Sequence, residues 1–298
     1  MFDLQPGDVL SYSAGSTQTG PDGFRKVQAD RIGMLGAAGD RWPELNEALG
    51  DRTVLFINAY PATLGRFTAG ITVDTYLSPR VLTRALKLGK AAGHPVILVA
   101  QPLFLIDVLM WHLAAGHPLP ETLIVQVGGY VFPRSLEKML EELLRPHVET
   151  FFIVHYFGAA EVDAGVLMAR ERNAEGELIY HPRPDVELDV DGEDLLLSLR
   201  SPGGDLLVER FRTGDRARRC GDGWVISNPR RLHPDVHRAM ESWNAADWKR
   251  RTGYLRRDDD WIWIQLRAGE RPEGDDELEH FDFARRFGFS WLEKPYWR

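Results

Sequence analysis

The sequence predicts an α/β protein in which a mainly parallel sheet, covered by helices, is followed by a small antiparallel β region. Short apolar runs alternate with helical patterns between residues 53 and 154, and short strands with glycine-containing turns dominate residues 177–226. Strands that alternate with helices form parallel sheets, whereas strands joined by two-residue turns form hairpins. The 298 residues suffice for one large core, or for one large and one small domain.

The parallel strands are predicted from short apolar runs that are rich in β-branched residues. These runs are residues 53–57, 96–99, 123–127 and 151–154. Such runs, bounded by turn signals, are typical of strands buried on both faces. The segments between them favour helices, at residues 79–92 with Gly93 as the stop, 103–115, and 135–144 after Pro133. Residues 31–49 carry helix formers with two interruptions.

The antiparallel region is predicted from shorter strand patterns with turns between them. The strands are residues 177–180, 186–190 and 195–199, and Asp191-Gly192 is a hairpin turn. An aspartate and an arginine then follow two further runs. Gly214 breaks the run 208–211 before Asp215, and the run 224–226 precedes Arg230.

This arrangement places Asp215 and Arg230 at the rim of a small sheet. A carboxylate there can accept two hydrogen bonds from a vicinal diol, and a neighbouring arginine can reach the same diol or a phosphate. A nucleotide carries both groups, so the pair indicates nucleotide binding. The alternative is a turn aspartate and a solvated arginine.

Two glycine-containing loops are further candidates for ligand contact. Residues 13–21 are rich in small and hydroxyl side chains, and such a loop, with Ser16 and Thr17, can cradle phosphates or serve as a flexible linker. Gly128-Gly129-Tyr130 closes the third predicted strand. Ligands of parallel α/β sheets bind beyond the carboxyl ends of the strands, so the double glycine is either a ligand contact or a tight turn into the next helix.

Composition narrows the possible functions. A net charge of −8 argues against a general nucleic-acid binder, although residues 200–257 are rich in arginine and form a local cationic surface or a solvated face. Six tryptophans after residue 240 fit core and interface positions better than base-stacking platforms. The single Cys220 excludes a disulfide framework and a multi-cysteine zinc site. With no signal sequence and no long uninterrupted apolar run, we expect a soluble cytoplasmic protein without membrane partners.

Five stretches, at residues 13–21, 128–129, 155–161, 211–215 and 230, together resemble the adenylate-forming enzymes, which include acyl-CoA synthetases, nonribosomal adenylation domains and firefly luciferase. Residues 211–215 resemble the family's Tyr-Arg-Thr-Gly-Asp, with phenylalanine first, and an Asp-Gly turn and Arg230 follow in the family's order. Residues 155–161 resemble Tyr-Gly-x-Thr-Glu, with Phe157 for tyrosine and Ala160 for threonine. Residues 13–21 resemble the phosphate loop, although Gln18 replaces a glycine and the usual lysine is missing. The lead-in 192–204 looks most like the phenylacetate-CoA ligase branch.

The resemblance implies a ligase that activates a small carboxylic acid with ATP and Mg²⁺, giving an acyl-adenylate. The residues it assigns to the nucleotide are Ser16, Thr17, Gly128, Gly129, Tyr156, Phe157, Gly158, Asp215 and Arg230. Within that set, Phe157 would stack on adenine, and Asp215 with Arg230 would hold the ribose. Glu161 would bind the magnesium ion and act with Arg230 in catalysis, while Tyr130 and His155 would line the acyl pocket.

The departures from the family pattern shape the remaining expectations. The sequence begins almost at the phosphate loop, the hairpin after Arg230 appears deleted, and the terminal lysine motif is absent. We therefore expect a core at residues 1–229, divided at residue 170 into the α/β sheet and the small β region, and a reduced α+β lid at 230–298. Ordinary thioester formation with CoA is not expected. A carrier protein, a partner enzyme or a second copy are possible partners. The alternatives are a degenerate homologue that serves as a nucleotide- or acyl-binding scaffold, and one half of a composite enzyme.

Overall fold

The structure is a computed structural model that describes residues 9–12, 24–27, 32–60, 70–75, 78–129, 132–159, 161–227, 254–257 and 260–263. The helices in these ranges are α1 (Ile32–Arg41), α2 (Pro43–Leu49), α3 (Pro79–Ala92), α4 (Pro102–Ala114) and α5 (Arg134–Leu144). The strands are β1 (Val9–Tyr12), β2 (Phe24–Val27), β3 (Leu55–Ala59), β4 (Ile71–Asp74), β5 (Val96–Ala100), β6 (Thr122–Gly128), β7 (Thr150–Ala159), β8 (Asp163–Arg172), β9 (Leu178–Pro182), β10 (Val186–Asp191), β11 (Asp194–Arg200), β12 (Leu206–Cys220), β13 (Gly223–Ser227), β14 (Tyr254–Arg257) and β15 (Asp260–Trp263).

One sheet of eleven strands contains most of the described chain, in the order β10-β11-β12-β13-β9-β8-β7-β6-β5-β3-β4. Within this sheet the neighbouring strands β7, β6, β5, β3 and β4 pair in parallel. The neighbouring strands β10, β11, β12, β13, β9, β8 and β7 pair antiparallel. The prediction of an α/β fold is confirmed, but the prediction of a mainly parallel sheet is wrong. Only residues 160–162 separate β7 from β8, and a connection of that length cannot form the crossover that a parallel pair needs.

The parallel half is buried on both faces, as its apolar runs predict. Alternate residues of its strands enter two different cores. Leu55, Ile57 and Leu98 pack in a cluster with residues of α3, α4 and α5. Phe56 and Ile97 face the opposite side, in a cluster with residues of α1 and α2. Helices therefore cover both faces, which leaves the carboxyl edge of the parallel strands as the place for a ligand.

The helices predicted at residues 79–92, 103–115 and 135–144 are present, and the interrupted segment 31–49 is two helices. The break falls at Trp42, where the proline at residue 43 begins α2. Proline lacks a backbone N–H and its ring clashes with the preceding turn, so a helix does not continue through it. Trp42 itself is buried in the second core cluster and ties both short helices to the sheet.

The antiparallel half has its own apolar cluster and carries many ion pairs on its surface. Val166, Leu195, Leu197 and Ala217 are buried together in that cluster. Exposed ion pairs link its strands, among them Arg200 with Glu187. The antiparallel strands belong to the same sheet as the parallel ones, and β8 and β9 join the two halves.

The sequence predicted that Gly214 ends a strand, and this prediction is wrong. β12 runs through Gly214, which has φ 81°, and ends only at Cys220. On the neighbouring strand Asp194 pairs with Arg216 and Leu196 with Arg212, so three residues of β12 stand opposite one residue of β11. Gly214 therefore forms a β-bulge, in which a glycine with positive φ takes up extra residues while the strand continues.

The C-terminal region is described only in β14 and β15, which pair antiparallel. In this region the sequence predicts a strand at residues 261–264, which β15 overlaps, and a helix at 278–287, which lies outside the described residues. The boundary at residue 230 stays a prediction. In the part of the chain that the structure describes, no helix is both long and apolar enough to cross a lipid bilayer.

Candidate functional site at the carboxyl edge of the parallel strands

The double glycine lies at the carboxyl end of β6, where the backbone is closely packed. Gly128 pairs with Tyr156 of β7, and a Cβ at residue 128 would lie 2.9 Å from the Tyr156 carbonyl oxygen. Gly129 has φ 85°, and a Cβ there would clash with the Tyr60 hydroxyl. Gly128 requires glycine because its close neighbour is backbone, and Gly129 requires it because of its positive φ. Tyr60 thus stands beside the edge where a ligand would approach.

A polar cluster at the ends of β3 and β4, in which Asn58 and Thr75 are buried and Asp74 is exposed, holds the Tyr60 backbone. Asn58 donates from Nδ2 to Asp74 Oδ2 at 3.1 Å, and its Oδ1 accepts from the Tyr60 backbone N–H at 3.1 Å. Thr75 donates from Oγ1 to the Asn58 carbonyl at 3.0 Å. Sequence reasoning missed these residues. The signal was a polar residue directly after the apolar run 54–57, at the end of a buried strand.

His155 lies in β7 but faces α5 and is 3% exposed. Its Nε2 is 3.3 Å from Glu137 Oε1, and Glu137 also accepts a hydrogen bond from Arg172. The Phe132 ring packs against the imidazole with centroids 5.7 Å apart. His155 therefore links β7 to the first turn of α5. This contact occupies the Nε2 atom of the residue that we expected in the acyl pocket.

The charges of this cluster are set by burial and by its ion pair. Burial lowers the pKa of His155, and Glu137 raises it only in part, so the imidazole is neutral at pH 7. Burial opposes ionisation of Glu137, but the contacts with His155 and Arg172 outweigh it and lower the pKa of Glu137 to about 2. Burial also raises the pKa of Tyr180 to about 12. The cluster is thus a neutral histidine beside a carboxylate that Arg172 neutralises.

Tyr156 and Phe157, two residues that we expected at the nucleotide, belong to different cores. Tyr156 is buried beneath the sheet, where Gln126 Nε2 donates to its hydroxyl at 3.4 Å and burial raises its pKa. Phe157 is half-buried and meets Tyr180 edge to face, with centroids 6.4 Å apart. Phe157 therefore keeps partial exposure at the carboxyl edge, whereas Tyr156 supports that edge from below.

Gly158 lies near the end of β7, and Glu161 lies just beyond that end. Three residues of β8, 164–166, stand opposite Gly158, and a Cβ at Gly158 would lie 2.8 Å from the Gly165 nitrogen. The turn that follows is tight, because the Val162 N–H donates to the Ala159 carbonyl at 2.9 Å. Glu161 sits in this turn with its side chain partly exposed. The hairpin therefore presents one carboxylate at the carboxyl edge.

The donor set at Glu161 fits the magnesium ion that the fold family implies. Mg²⁺ prefers hard oxygen ligands, and nucleotide sites usually hold it through one or two carboxylates plus substrate phosphates. Within the described ranges, no three His, Cys, Asp or Glu side chains are grouped so that they could hold a metal by themselves. A partly exposed carboxylate beside a nucleotide is the arrangement that such a shared site needs.

A buried ion pair lies two residues beyond Glu161, and sequence reasoning missed it as well. Asp163 is 3% exposed and Arg183 is 4% exposed. Arg183 donates from Nη1 and Nη2 to Asp163 Oδ2, each at 3.2 Å, and from Nε to Asp185 Oδ1 at 2.8 Å. Burial opposes the charge of Arg183, but both aspartates raise its pKa. No sequence pattern connects these residues, because they lie on different strand connections.

Asp215 lies in the bulge of β12 and is only 4% exposed. Its backbone N–H donates to Thr213 Oγ1 at 3.1 Å. The expectation of a carboxylate at a strand end on the rim is therefore wrong, because the bulge lets β12 continue past it. Bulges often change the direction of a side chain beside an active site, so the bulge explains the glycine, Gly214, in the motif 211–215. Ser16, Thr17, Tyr130 and Arg230 lie outside the described residues.

The chain shares its fold with a solved acetoacetyl-CoA synthetase, so the resemblance seen in its motifs is confirmed at the level of the fold. Among solved structures, the acetoacetyl-CoA synthetase from Streptomyces lividans matches with a TM-score of 0.50 and 16% identity, over 95% of this chain and 50% of that one. At that identity the likeness concerns the fold alone. No protein-family model matches the chain, and no curated protein matches it in sequence.

Two further structures match with lower TM-scores. A benzoate CoA ligase from Burkholderia xenovorans LB400 has a TM-score of 0.48 and 14% identity, over 89% of this chain and 60% of that one. A long-chain-fatty-acid-CoA ligase from Archaeoglobus fulgidus has a TM-score of 0.46 and 14% identity, over 73% of this chain and 50% of that one. The chain thus spans 50% to 60% of the length of these three proteins.

Proposed function

We propose that this chain activates a carboxylic acid with ATP and Mg²⁺, forming an acyl-adenylate and pyrophosphate. The observation that carries the proposal is the shared edge of β6 and β7. There the obligate glycines 128 and 129 lie beside the strand that ends in the Glu161 hairpin. Ligands of such sheets bind at this edge. The fold of an acetoacetyl-CoA synthetase supports an acid as the second substrate, and we propose a small one.

In the proposed reaction, a carboxylate oxygen of the acid attacks the α-phosphorus of ATP, and pyrophosphate leaves with the electron pair of the broken P–O bond. The protein binds and orients both reactants and stabilises the charge that develops on phosphorus. The bound Mg²⁺ supplies positive charge to the phosphate oxygens.

Each proposed residue has a binding or positioning role. Glu161 holds the metal, Phe157 contacts the adenine, and Asp215 accepts hydrogen bonds from the ribose. Ser16 and Thr17 bind phosphates, and Arg230 faces the developing negative charge. The glycines 128 and 129 let the nucleotide approach the backbone. His155, whose Nε2 contacts Glu137, supports the β7 edge in this arrangement.

We further propose that the acyl-adenylate is not converted to a CoA thioester by this chain alone. Arg230 is followed at once by Arg231-Leu232-His233-Pro234, so the sequence lacks the hairpin that lines the pantetheine channel in the family. The activated acid would pass to a carrier protein or a partner enzyme, with residues 230–298 as a reduced lid. A cytoplasmic location is part of this proposal, since the single cysteine needs no oxidising compartment.

The test is to trap the product with two different nucleophiles. The purified chain is incubated with ATP, Mg²⁺ and a panel of small acids, once with hydroxylamine and once with CoA. We expect a hydroxamate with at least one acid and no thioester. Thioester formed as fast as pyrophosphate is released would refute the missing CoA step, and absence of both products with every acid would refute acid activation.

A scaffold that binds a nucleotide or an acyl group without reaction is the second candidate. Two features of the phosphate loop favour it: Gln18 replaces a glycine, and the usual lysine is missing. Ala160, in place of the family's threonine, also removes a hydroxyl donor. Binding of ATP without hydroxamate formation would distinguish this candidate, or one half of a composite enzyme, from the ligase.

A further inference from the structure

We propose that Asp163 and Arg183 are positioning residues that fix the Glu161 carboxylate for its metal ion, an inference that rests on the proposed function. Glu161 lies in the turn between β7 and β8, and Asp163 is the first residue of β8. The turn is closed by the hydrogen bond from the Val162 N–H to the Ala159 carbonyl, at 2.9 Å. Any displacement of Asp163 therefore moves Glu161.

Arg183 grips the hairpin with its side chain and its backbone. The Arg183 backbone N–H donates to the Val166 carbonyl at 3.0 Å, and Nη1 donates to the Ala164 carbonyl at 3.2 Å. These carbonyls belong to the three residues of β8 that bulge opposite Gly158. Arg183 thus holds both ends of the bulge, and a bulge sets the direction of the strand that leaves it.

The guanidinium uses its full hydrogen-bonding capacity in this clamp. It makes five hydrogen bonds, to Asp163, Asp185 and the Ala164 carbonyl, and an arginine side chain has five N–H groups. Asp163 is equally committed, because its Oδ1 accepts from the Ala164 N–H at 2.8 Å. A network in which every donor is paired allows one arrangement, so it defines the position of the turn.

Stability alone does not account for an ion pair at this place. Replacing a buried ion pair by apolar residues of similar volume is often neutral or stabilising, because the pair must be removed from water. The clamp joins the β7–β8 hairpin to the connection between β9 and β10. Outer partners that orient metal ligands are a known use of such pairs. Asp163, two residues after Glu161, is close enough in the chain to orient the Glu161 carboxylate in this way.

The test measures ATP affinity by calorimetry with Mg²⁺ and with EDTA, in the full chain and its variants. In Asp163→Asn we expect the Mg²⁺-dependent gain in affinity to fall by about 10- to 100-fold, the range for outer-shell partners, while affinity in EDTA is unchanged. Glu161→Gln should show the same loss. Adding Asp163→Asn to Glu161→Gln should cause no further loss, because both act on one ligand.

The matched control is Asp189→Asn in β10, which removes one carboxylate of an exposed ion pair with Arg210 and lies outside the Arg183 clamp. It should keep the wild-type response to Mg²⁺. If Asp163→Asn alone does not fold, the double variant Asp163→Asn with Arg183→Gln takes its place, because it leaves no uncompensated buried charge. It should also lose the gain in ATP affinity that Mg²⁺ gives. Hydrogen exchange gives a readout without ligand: amides 162–166 should exchange faster in Asp163→Asn, while those of β6 stay protected.

The outcomes separate this inference from the proposed function. If the wild type binds ATP with Mg²⁺ dependence and Asp163→Asn keeps that dependence, the positioning role is wrong and the proposed function stands. An equal loss in Asp189→Asn would also contradict it, since the effect would then not depend on the clamp. Wild-type chain that binds no ATP at all would refute both.

Discussion

At the scale of single residues, Asp215 shows how a motif can be recognised while its surroundings are misjudged. The Thr-Gly-Asp pattern was read as the end of a strand, because Gly214 is a poor strand residue. In the structure the glycine forms a bulge, and Asp215 is buried within β12. The residue is therefore structural as well as a candidate ligand contact, and its removal must affect both properties.

We predict that Asp215→Ala weakens ATP binding by about 2–4 kcal/mol, through the loss of two charge-assisted hydrogen bonds to the ribose. Because the carboxylate is buried, we also expect a loss of about 1–3 kcal/mol in the free energy of unfolding. Calorimetry and urea unfolding measure the two effects.

The matched control for Asp215 is Asp222→Ala, in the exposed Asp-Gly turn that follows β12, where the carboxylate pairs with Arg41. It should leave both quantities nearly unchanged. Unchanged ATP affinity in Asp215→Ala, with reduced stability, would remove the residue from the site and leave it a purely structural role.

At the scale of elements, β7 organises the candidate site because its successive side chains serve different faces. His155 binds the first turn of α5 through Glu137, and Tyr156 packs in the core beneath the sheet. The hairpin that follows carries Glu161. The polar cluster below α5 therefore ties the helix after the double glycine to the strand before Glu161, and it should respond to acid.

We predict that Glu137→Gln makes the chain less stable at pH 7 and removes the part of its pH dependence that comes from Glu137. The pKa of Glu137 is lowered from 4.5 to about 2 in the fold, which corresponds to roughly 3 kcal/mol. Since the folded pKa is depressed, this stabilisation is complete above pH 4.5 and is lost as the pH falls toward 2. Burial lowers the pKa of His155, so below pH 6.5 the unfolded chain binds a proton that the folded chain does not. His155 therefore also reduces the free energy of unfolding as the pH falls.

Urea unfolding at pH 7 and pH 4 tests this, with Glu142→Gln on the exposed face of α5 as control. By pH 4 the wild type should have lost about 1 kcal/mol of the Glu137 contribution, and Glu137→Gln should lack that loss. Equal stability of the wild type and of Glu137→Gln at pH 7 would show that the cluster does not stabilise the fold through this charge.

The elements that were predicted correctly have strong local signals, and the errors come from tertiary pairing. The apolar runs 53–57, 96–99 and 123–127 and the helix 79–92 were found because burial on both faces and helical spacing are visible in the chain. β8 was missed, and with it the turn that makes the following pairs antiparallel. The Asp163–Arg183 pair was invisible, since its 20-residue separation reflects sheet order and no local pattern.

At the scale of the whole molecule, the chain combines a parallel half that forms a ligand-binding edge with an antiparallel half that carries the Asp215 bulge. It spans 50% of the length of the acetoacetyl-CoA synthetase whose fold it shares. The likeness in fold therefore leaves its activity to be measured on this chain itself. The question is whether the motifs that differ from the family, above all Phe157 and Ala160, still support chemistry.

The most direct measurement is ATP–pyrophosphate exchange by the purified wild-type chain with Mg²⁺ and a broad panel of small carboxylic acids. Exchange reports the reversible formation of an acyl-adenylate and requires no acceptor. Our account predicts exchange that depends on one acid or a few related acids, and its loss in EDTA. ATP binding without exchange for any acid would contradict the proposed ligase and favour a nucleotide-binding scaffold.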